Sequence, residues 1–237
     1  MPRILVLGCG TAVGKTRLSV ALLRELRATG RRCLGLKPIE SGVDPGDGDP
    51  AHGSDAEAIA NAGSLHVVGS RHPLYALREP ISPHLAARHE GVEINTEAVR
   101  QWVAEAEQRM TPLVSSDSAL WTIVESAGGV FSPLSAQATN FDLARGLEPA
   151  IWILVAADAL GVLHELSATL QAMKARGRMP DHVVLSCARP PDASTGSNAH
   201  ELTALGIVTP TAVLARDDDR GIQDLLRRLL AETPGGL

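Results

Sequence analysis

Short apolar runs of strand length alternate along the chain with segments of helical periodicity. The runs predict strands at Ile4–Leu7, Cys33–Lys37, Leu120–Glu125, Ile151–Ala156, His182–Cys187 and Val208–Leu214. Between and after them, helices are predicted at Lys15–Thr29, Glu97–Arg109, Val162–Arg176 and Ile222–Glu232, and from Ser54, where Glu57 has capping-box spacing. This alternation is typical of βαβ units. It predicts an α/β fold with a doubly wound, mostly parallel sheet and helices on both faces.

The connecting segments contain no internal repeat and no linker, so we expect a single domain over residues 1–237. The segment Gly42–Gly53 is rich in Gly, Pro and Asp and should be a mobile loop when the site is empty. Ala188–Asn198 is predicted to be a polar loop, and Thr233–Leu237 a frayed tail.

Composition narrows the classes of function. Apolar residues make up 44% of the chain but aromatic residues only 3%, so the core must consist of Leu, Val, Ile and Ala. The net charge of −5 and the lack of a basic stripe argue against nucleic-acid binding. The longest apolar run, Ala150–Ala157, is too short to span a bilayer. Cys9, Cys33 and Cys187 have no metal-site spacing, so we expect a soluble protein of the reducing cytoplasm.

The segment Gly8–Thr16 joins the first predicted strand to the first predicted helix. Its glycines allow successive backbone N–H groups to surround phosphate oxygens, and the helix N-terminus adds positive potential. Five residues separate Gly8 from Gly14, where the usual phosphate loop has four. We expect Lys15 to reach the β- and γ-phosphates and Thr16 to ligate Mg²⁺. The predicted nucleotide-binding residues are Gly8, Gly10, Thr11, Ala12, Val13, Gly14, Lys15, Thr16, Arg17 and Cys187.

Two carboxylates and a lysine are candidates for the rest of the site. Glu125 ends a predicted strand at the edge where ligands bind in doubly wound sheets. Asp55 lies in the first turn of the helix that begins at Ser54, and Lys37 ends the second predicted strand. Each also has a simpler interpretation: a solvated strand-end carboxylate, a helix-dipole residue and a surface lysine, respectively.

Taken together, these segments resemble the dethiobiotin synthetase family, ATP-dependent enzymes that close the ureido ring in biotin synthesis. The matching segments are Gly8–Thr16, Lys37–Gly42 (KPIESG), Ser54 with Asp55, Pro80–His84 (PISPH), Val124–Gly129 (VESAGG) and Leu160–His164 (LGVLH). Their order and spacing hold to about Leu170 and more loosely beyond it.

The resemblance implies a cyclo-ligase that uses Mg²⁺, CO₂, 7,8-diaminopelargonate and ATP or another nucleoside triphosphate. A carbamate would form, accept the γ-phosphoryl group and be attacked by the second amine. Such chemistry needs positioning and charge neutralisation more than covalent catalysis. By resemblance the catalytic residues are Lys15, Lys37, Thr11 and Ser41, and the metal ligands are Thr16, Asp55 and Glu125.

The implied substrate-binding residues are Thr11, Lys37, Ser41, Gly128, Gly161, Val162 and Leu163. In the family, the helix that begins at Gly161 binds the substrate carboxylate across a dimer interface, so the resemblance implies a homodimer. The chain departs from the family pattern at Gly10, Ala12, Ser126 and Leu163, which leaves the amine open. Cys187 stands where the family has an adenine-recognising Asn, which leaves the preferred base open.

Two other functions remain possible. A paralogue with the same phosphoryl-transfer residues would carboxylate or cyclise a different amine. A switch ATPase of the partitioning type has a related fold, but its signature is an extra lysine early in the phosphate loop, where this chain has Cys9 and Gly10. A switch would hydrolyse the triphosphate without any diamine.

Overall fold

The computed structural model describes residues 1–43, 53–67, 71–114, 119–216, 218 and 220–233. Most of the predicted mobile loop and the last four residues of the predicted tail lie outside the described residues. All statements of structure below concern the described ranges.

The core is a six-stranded parallel sheet whose strands are β1 (Arg3–Gly8), β2 (Arg32–Leu36), β5 (Leu120–Glu125), β6 (Ile151–Ala157), β7 (His182–Ser186) and β8 (Ala212–Leu214). Their spatial order is β2-β5-β1-β6-β7-β8. Two further short strands, β3 (Ile39–Ser41) and β4 (Tyr75–Leu77), pair with each other in parallel. The predicted parallel α/β architecture is confirmed.

The described residues form eight α-helices, seven between strands and one after the last strand. They are α1 (Lys15–Ala28), α2 (Asp55–Ala62), α3 (Pro83–His89), α4 (Thr96–Met110), α5 (Asn140–Leu147), α6 (Val162–Ala175), α7 (Asn198–Ala204) and α8 (Arg220–Glu232). No helix of the described part of the chain is both long enough and apolar enough to cross a membrane.

Strand β1 shows how the helices come to cover both faces of the sheet. Successive side chains of a strand point to opposite faces. Ile4 and Val6 accordingly pack in one cluster with α1, α2 and α8, whereas Leu5 and Leu7 pack in a second cluster with α3 to α7. Because both faces are covered, the central strands are mostly apolar, and all seven residues of β6 are apolar and buried.

The predicted elements are found with small shifts at their ends. The predicted run Val208–Leu214 was too long, since only Ala212–Leu214 pairs as β8. The predicted loop Ala188–Asn198 extends one residue too far, because α7 begins at Asn198. The sequence pattern did not predict β3, β4, α3, α5 and α7. These elements have three to eight residues each and are too short for a clear periodicity.

Candidate active site

The phosphate loop between β1 and α1 has the backbone that a phosphate cradle needs. Gly14 has φ 97°, and a Cβ on it would overlap Ser186 Oγ, so a side chain there would be strained. At Gly8 a Cβ would lie 2.9 Å from the carbonyl oxygen of Gly10. Ala12 also has a positive φ of 54°, uncommon for a residue with a side chain. The loop is thus built for close backbone approach to a ligand.

A cavity of about 450 Å³ opens beside this loop at the carboxyl ends of the strands. Predicted site residues that line it are Thr11, Ala12, Val13, Gly14, Lys15, Thr16, Arg17, Lys37, Ser41, Asp55 and Gly128. Glu40, Ala127 and Ala188 complete the lining. Segments that are far apart in sequence therefore converge on one cavity. The individual sequence motifs could not show this convergence.

Glu125 is the hub of the polar contacts behind the cavity. Its side chain is fully buried, and its Oε1 accepts hydrogen bonds from Thr16 Oγ1 at 2.8 Å and from Lys37 Nζ at 2.9 Å. Lys37 also forms an ion pair with Asp55, at the start of α2. Burial acts to lower the pKa of Lys37, but the carboxylates of Glu125, Asp55 and Glu40 outweigh it and raise that pKa. Lys37 therefore stays cationic.

Lys15 lies at the first position of α1 and is only 7% exposed. Its Nζ donates a hydrogen bond of 3.1 Å to the carbonyl oxygen of Gly10 within the loop. Burial lowers the pKa of Lys15, and the positive charge of Lys37 acts in the same direction. The carboxylates of Glu125 and Asp55 act in the opposite direction, but Lys15 forms no ion pair with any described residue, and a bound phosphate would supply a direct negative partner.

The short strand β3 places Glu40 against the start of α2. The Glu40 carboxylate accepts hydrogen bonds from the backbone N–H groups of Asp55 at 2.8 Å and Ala56 at 2.9 Å. Burial raises the pKa of Glu40. The predicted capping box forms only in part: Ser54 Oγ accepts from the Glu57 N–H, but the Glu57 carboxylate accepts from the Gly53 N–H instead of that of Ser54. Glu40 thus holds the turn that carries Asp55.

The loop after β5 is fixed by a buried amide. Gly128 lines the cavity with φ 71°, a conformation that favours glycine. Asn140, at the first position of α5, donates hydrogen bonds to the carbonyl oxygens of Ala127 and Gly129 and so clamps both sides of Gly128. Neither Asn140 nor Glu40 was identified as a site residue from the sequence, because both act through segments distant in the chain.

Several predicted site residues lie off this cavity. Gly8 and Gly10 are part of the phosphate loop, and Glu125 lies behind the cavity. Cys187 is next to the lining residue Ala188, and its N–H donates to Leu214 O rather than facing the cavity. Gly161, Val162 and Leu163 are at the start of α6, where Val162 is buried in the core and Gly161 has φ 98°. Within one chain these three residues do not line the cavity.

The oxygen donors around Lys37 fit a hard divalent cation. The carboxylates of Asp55 and Glu125 face the same cationic group, Lys37 Nζ, and the Thr16 hydroxyl adjoins Glu125. Within the described ranges, no group of three or more His, Cys, Asp or Glu side chains could hold a metal alone. Mg²⁺ is commonly bound by one or two carboxylates together with phosphate oxygens and water, so this donor set suits Mg²⁺ that arrives with a nucleotide.

Comparisons with known proteins show which family the chain belongs to. Residues 2–218 match a family model described as an AAA domain. An ATP-dependent dethiobiotin synthetase from Anaeromyxobacter sp. (strain K) is 34% identical over 220 residues, which cover 92% of each chain. The enzyme of the same name from Phenylobacterium zucineum (strain HLK1) is 33% identical over 211 residues, covering 86% of this chain and 83% of the relative. The chain belongs to the ATP-dependent dethiobiotin synthetase family.

Solved structures show that the fold of this family member is shared more widely. The MinC:MinD cell division protein complex of Aquifex aeolicus matches with a TM-score of 0.56 at 11% identity, over 99% of this chain and 98% of the other. The hydrogenase maturation factor HypB of Archaeoglobus fulgidus matches with a TM-score of 0.54 at 13% identity, over 98% and 89%. At these identities the likeness concerns the fold alone. The expectation of an ATP-dependent enzyme is confirmed by the family, whereas the roles of individual residues stay predictions.

Proposed function

We propose that this family member is a Mg²⁺- and nucleoside-triphosphate-dependent cyclo-ligase that makes dethiobiotin from 7,8-diaminopelargonate and CO₂. The observation that carries the proposal is the convergence of Lys15, Lys37 and Glu125 beside a cavity that the phosphate loop lines. Family membership supports the reaction, and the convergence supplies the charges that the reaction needs. The alternative that the chain acts on a different amine shares this machinery.

The reaction proceeds in three steps. One amine of the diamine attacks CO₂ and loses a proton, which gives a carbamate. A carbamate oxygen then attacks the γ-phosphorus, and the nucleoside diphosphate leaves with the electrons of the broken P–O bond. Finally the second amine attacks the carbamate carbon and loses a proton, phosphate leaves with the oxygen that it gained, and the cyclic urea remains.

The residues of the chain supply positioning and charge. Lys15 and Lys37 would hold the anionic carbamate and the migrating phosphoryl group, whose charge is spread over its equatorial oxygens. Thr11, Ser41 and the backbone at Gly128 would orient the diamine. Mg²⁺ bound through Thr16, Asp55 and Glu125 would neutralise charge on the β- and γ-phosphates. Because the carbamate is already an anion, no general base with an unusual pKa is needed.

The substrate carboxylate requires a further site. Gly161, Val162 and Leu163 lie at the N-terminus of α6, where a helix dipole favours an anion, but they do not line the cavity of their own chain. This separation supports a homodimer in which one subunit's α6 faces the other's phosphate loop. Mixing a Lys15→Ala subunit with a Leu163→Asp subunit should restore activity through hybrid dimers. Activity that does not rise above that of the separate variants would contradict a shared site.

Phosphate release by the pure protein tests the proposed function. With Mg²⁺, bicarbonate and 7,8-diaminopelargonate, we expect release to depend on the diamine and a product with the mass of dethiobiotin to appear. The assay is run with ATP, CTP, GTP and UTP, because Cys187 leaves the preferred base open. Lys15→Ala serves as the control and should lower turnover by about 100- to 1,000-fold, as for loss of one charge-stabilising group. Diamine-independent release without dethiobiotin would contradict the proposal and indicate a switch ATPase.

A further inference from the structure

The second oxygen of Glu125 has a hydrogen-bond donor that belongs to none of the motifs. Ser19 Oγ donates to Glu125 Oε2 at 2.7 Å, whereas Thr16 and Lys37 both bind Oε1. The two oxygens of this fully buried carboxylate therefore have separate partners. A buried carboxylate needs such donors because an unpaired charge in the interior is costly.

Ser19 lies in the second turn of α1, on the face that packs against the sheet. It is fully buried, and its neighbours on that face are leucines, of which Leu18, Leu22 and Leu23 are likewise inaccessible. A serine is a poor choice for a buried helix position unless its hydroxyl has a partner. Its hydroxyl bonds to Glu125 across 106 residues of sequence. The three-residue spacing from Thr16 places both hydroxyls on one side of α1.

The partners of Glu125 differ in what they would do when substrates bind. Under the proposed function, Thr16 would bind the metal and Lys37 the carbamate, so both contacts with Oε1 would change. Ser19 does not line the cavity and donates to the other carboxylate oxygen, so its bond to Oε2 can persist. With Oε2 held, rotation of the carboxylate is restricted and Oε1 stays on the side of Thr16 and Lys37, which line the cavity.

We propose that Ser19 is a positioning residue that holds Glu125 in the orientation needed to bind the divalent cation. The inference rests on the proposed function only for the metal role of Glu125, and it does not depend on the identity of the amine. It predicts that loss of the Ser19 hydroxyl weakens binding of the metal with nucleotide while leaving nucleotide binding without metal unchanged.

The experiment measures calorimetrically the affinity for a non-hydrolysable ATP analogue at saturating Mg²⁺ and in EDTA. The ratio of the affinity with Mg²⁺ to the affinity in EDTA reports the contribution of the metal. In Ser19→Ala this ratio should fall by about 10-fold or more, the usual effect of removing a group that orients a metal ligand, with the affinity in EDTA unchanged. An unchanged ratio would show that Ser19 is only a core residue.

Thr122→Val is the matched control. Thr122 is on the same strand as Glu125 and is fully buried, and its hydroxyl has no hydrogen-bond partner among the described residues. Removing that hydroxyl should leave the ratio at the wild-type value, whereas a fall equal to that of Ser19→Ala would contradict a specific role for Ser19. If Ser19→Ala fails to fold, Ser19→Thr keeps the hydroxyl and should give the wild-type ratio. A folded Ser19→Thr variant with a low ratio would overturn the inference.

The assay contains no diamine, so failure of the inference is distinguishable from failure of the proposed function. A wild-type protein whose nucleotide affinity does not respond to Mg²⁺ would overturn the inference together with the metal part of the proposal. A wild-type protein that binds Mg²⁺ and nucleotide but makes no dethiobiotin would contradict only the proposed amine substrate. A low ratio in Ser19→Ala would still support the role of Ser19.

Discussion

Lys37 contacts the two carboxylates that we propose as metal ligands. Its Nζ binds both Asp55 and Glu125, so a cation already occupies the space between these anions in this structure. In the proposed function Asp55 and Glu125 would hold Mg²⁺, and Lys37 would be free to bind the phosphoryl group, since two cations near the same carboxylates repel each other. Lys37 would thus change from an ion-pair partner of the two carboxylates to a catalytic residue when the substrates bind.

At the scale of single residues, Lys37→Ala should separate binding from chemistry. We expect kcat to fall by about 100- to 1,000-fold, because one group that stabilises transition-state charge is lost. The affinity for Mg²⁺-nucleotide should change only a few-fold, since the phosphate loop and Lys15 are intact. Kinetics and a binding isotherm on the same preparation measure both quantities. Wild-type turnover in this variant would remove Lys37 from the catalytic machinery.

The sequence predicted some of the polar residues of the site and missed others for a physical reason. Lys15 and Thr16 belong to a local motif, and Lys37, Asp55 and Glu125 stand at strand or helix ends where site residues are expected. Ser19, Glu40 and Asn140 act through partners 15 to 106 residues away or through backbone carbonyls. No local pattern identifies such contacts, although a serine among the buried leucines of α1 could have been noticed.

At the scale of elements, β3 and α2 form a unit whose junction is Glu40. The Glu40 carboxylate accepts two of the N–H groups that a helix start leaves unpaired, and its negative charge suits the positive end of the helix dipole. Gly35 in β2 allows α2 to pack closely, because a Cβ there would lie 2.5 Å from Ile59 O. Asp55 is positioned by this junction rather than by its own motif.

Glu40→Ala should therefore weaken both the fold and the site. We expect a loss of about 1–3 kcal/mol in the free energy of unfolding, because the Asp55 and Ala56 N–H groups lose a buried acceptor. The affinity for Mg²⁺-nucleotide should also fall as Asp55 loses its support. Urea denaturation and calorimetry measure the two effects. Glu57→Ala is the control, since it removes only the more exposed bond to Gly53 and should cost less. Equal stability of the two variants would contradict the role given to Glu40.

The elements were predicted unevenly. Strands such as β6, with seven buried residues, and α1, with a continuous apolar face, stand out in the sequence. The three-residue strands β3 and β4 do not, because their pairing with each other is a tertiary contact rather than a local preference. The strand order was not predicted either, since apolar runs show which segments are strands but not which strands are neighbours.

At the scale of the whole molecule, the parallel sheet gathers the site at one edge. Strands β2, β5 and β1 are neighbours, so Lys37, Glu125 and the phosphate loop meet where these strands end. The same fold occurs in a cell division complex and in a hydrogenase maturation factor, so the architecture alone does not select a reaction. We propose that the carbamate, not water, attacks the γ-phosphate in this chain.

The most direct test uses ¹⁸O-labelled bicarbonate in a brief reaction with 7,8-diaminopelargonate and the triphosphate. If the carbamate accepts the phosphoryl group, the oxygen that bridges carbon and phosphorus leaves with the phosphate. Mass spectrometry should then find one ¹⁸O in the released phosphate and label in the ureido carbonyl of dethiobiotin. Unlabelled phosphate in a reaction whose bicarbonate is still labelled would show attack by water, and it would contradict the cyclo-ligase account.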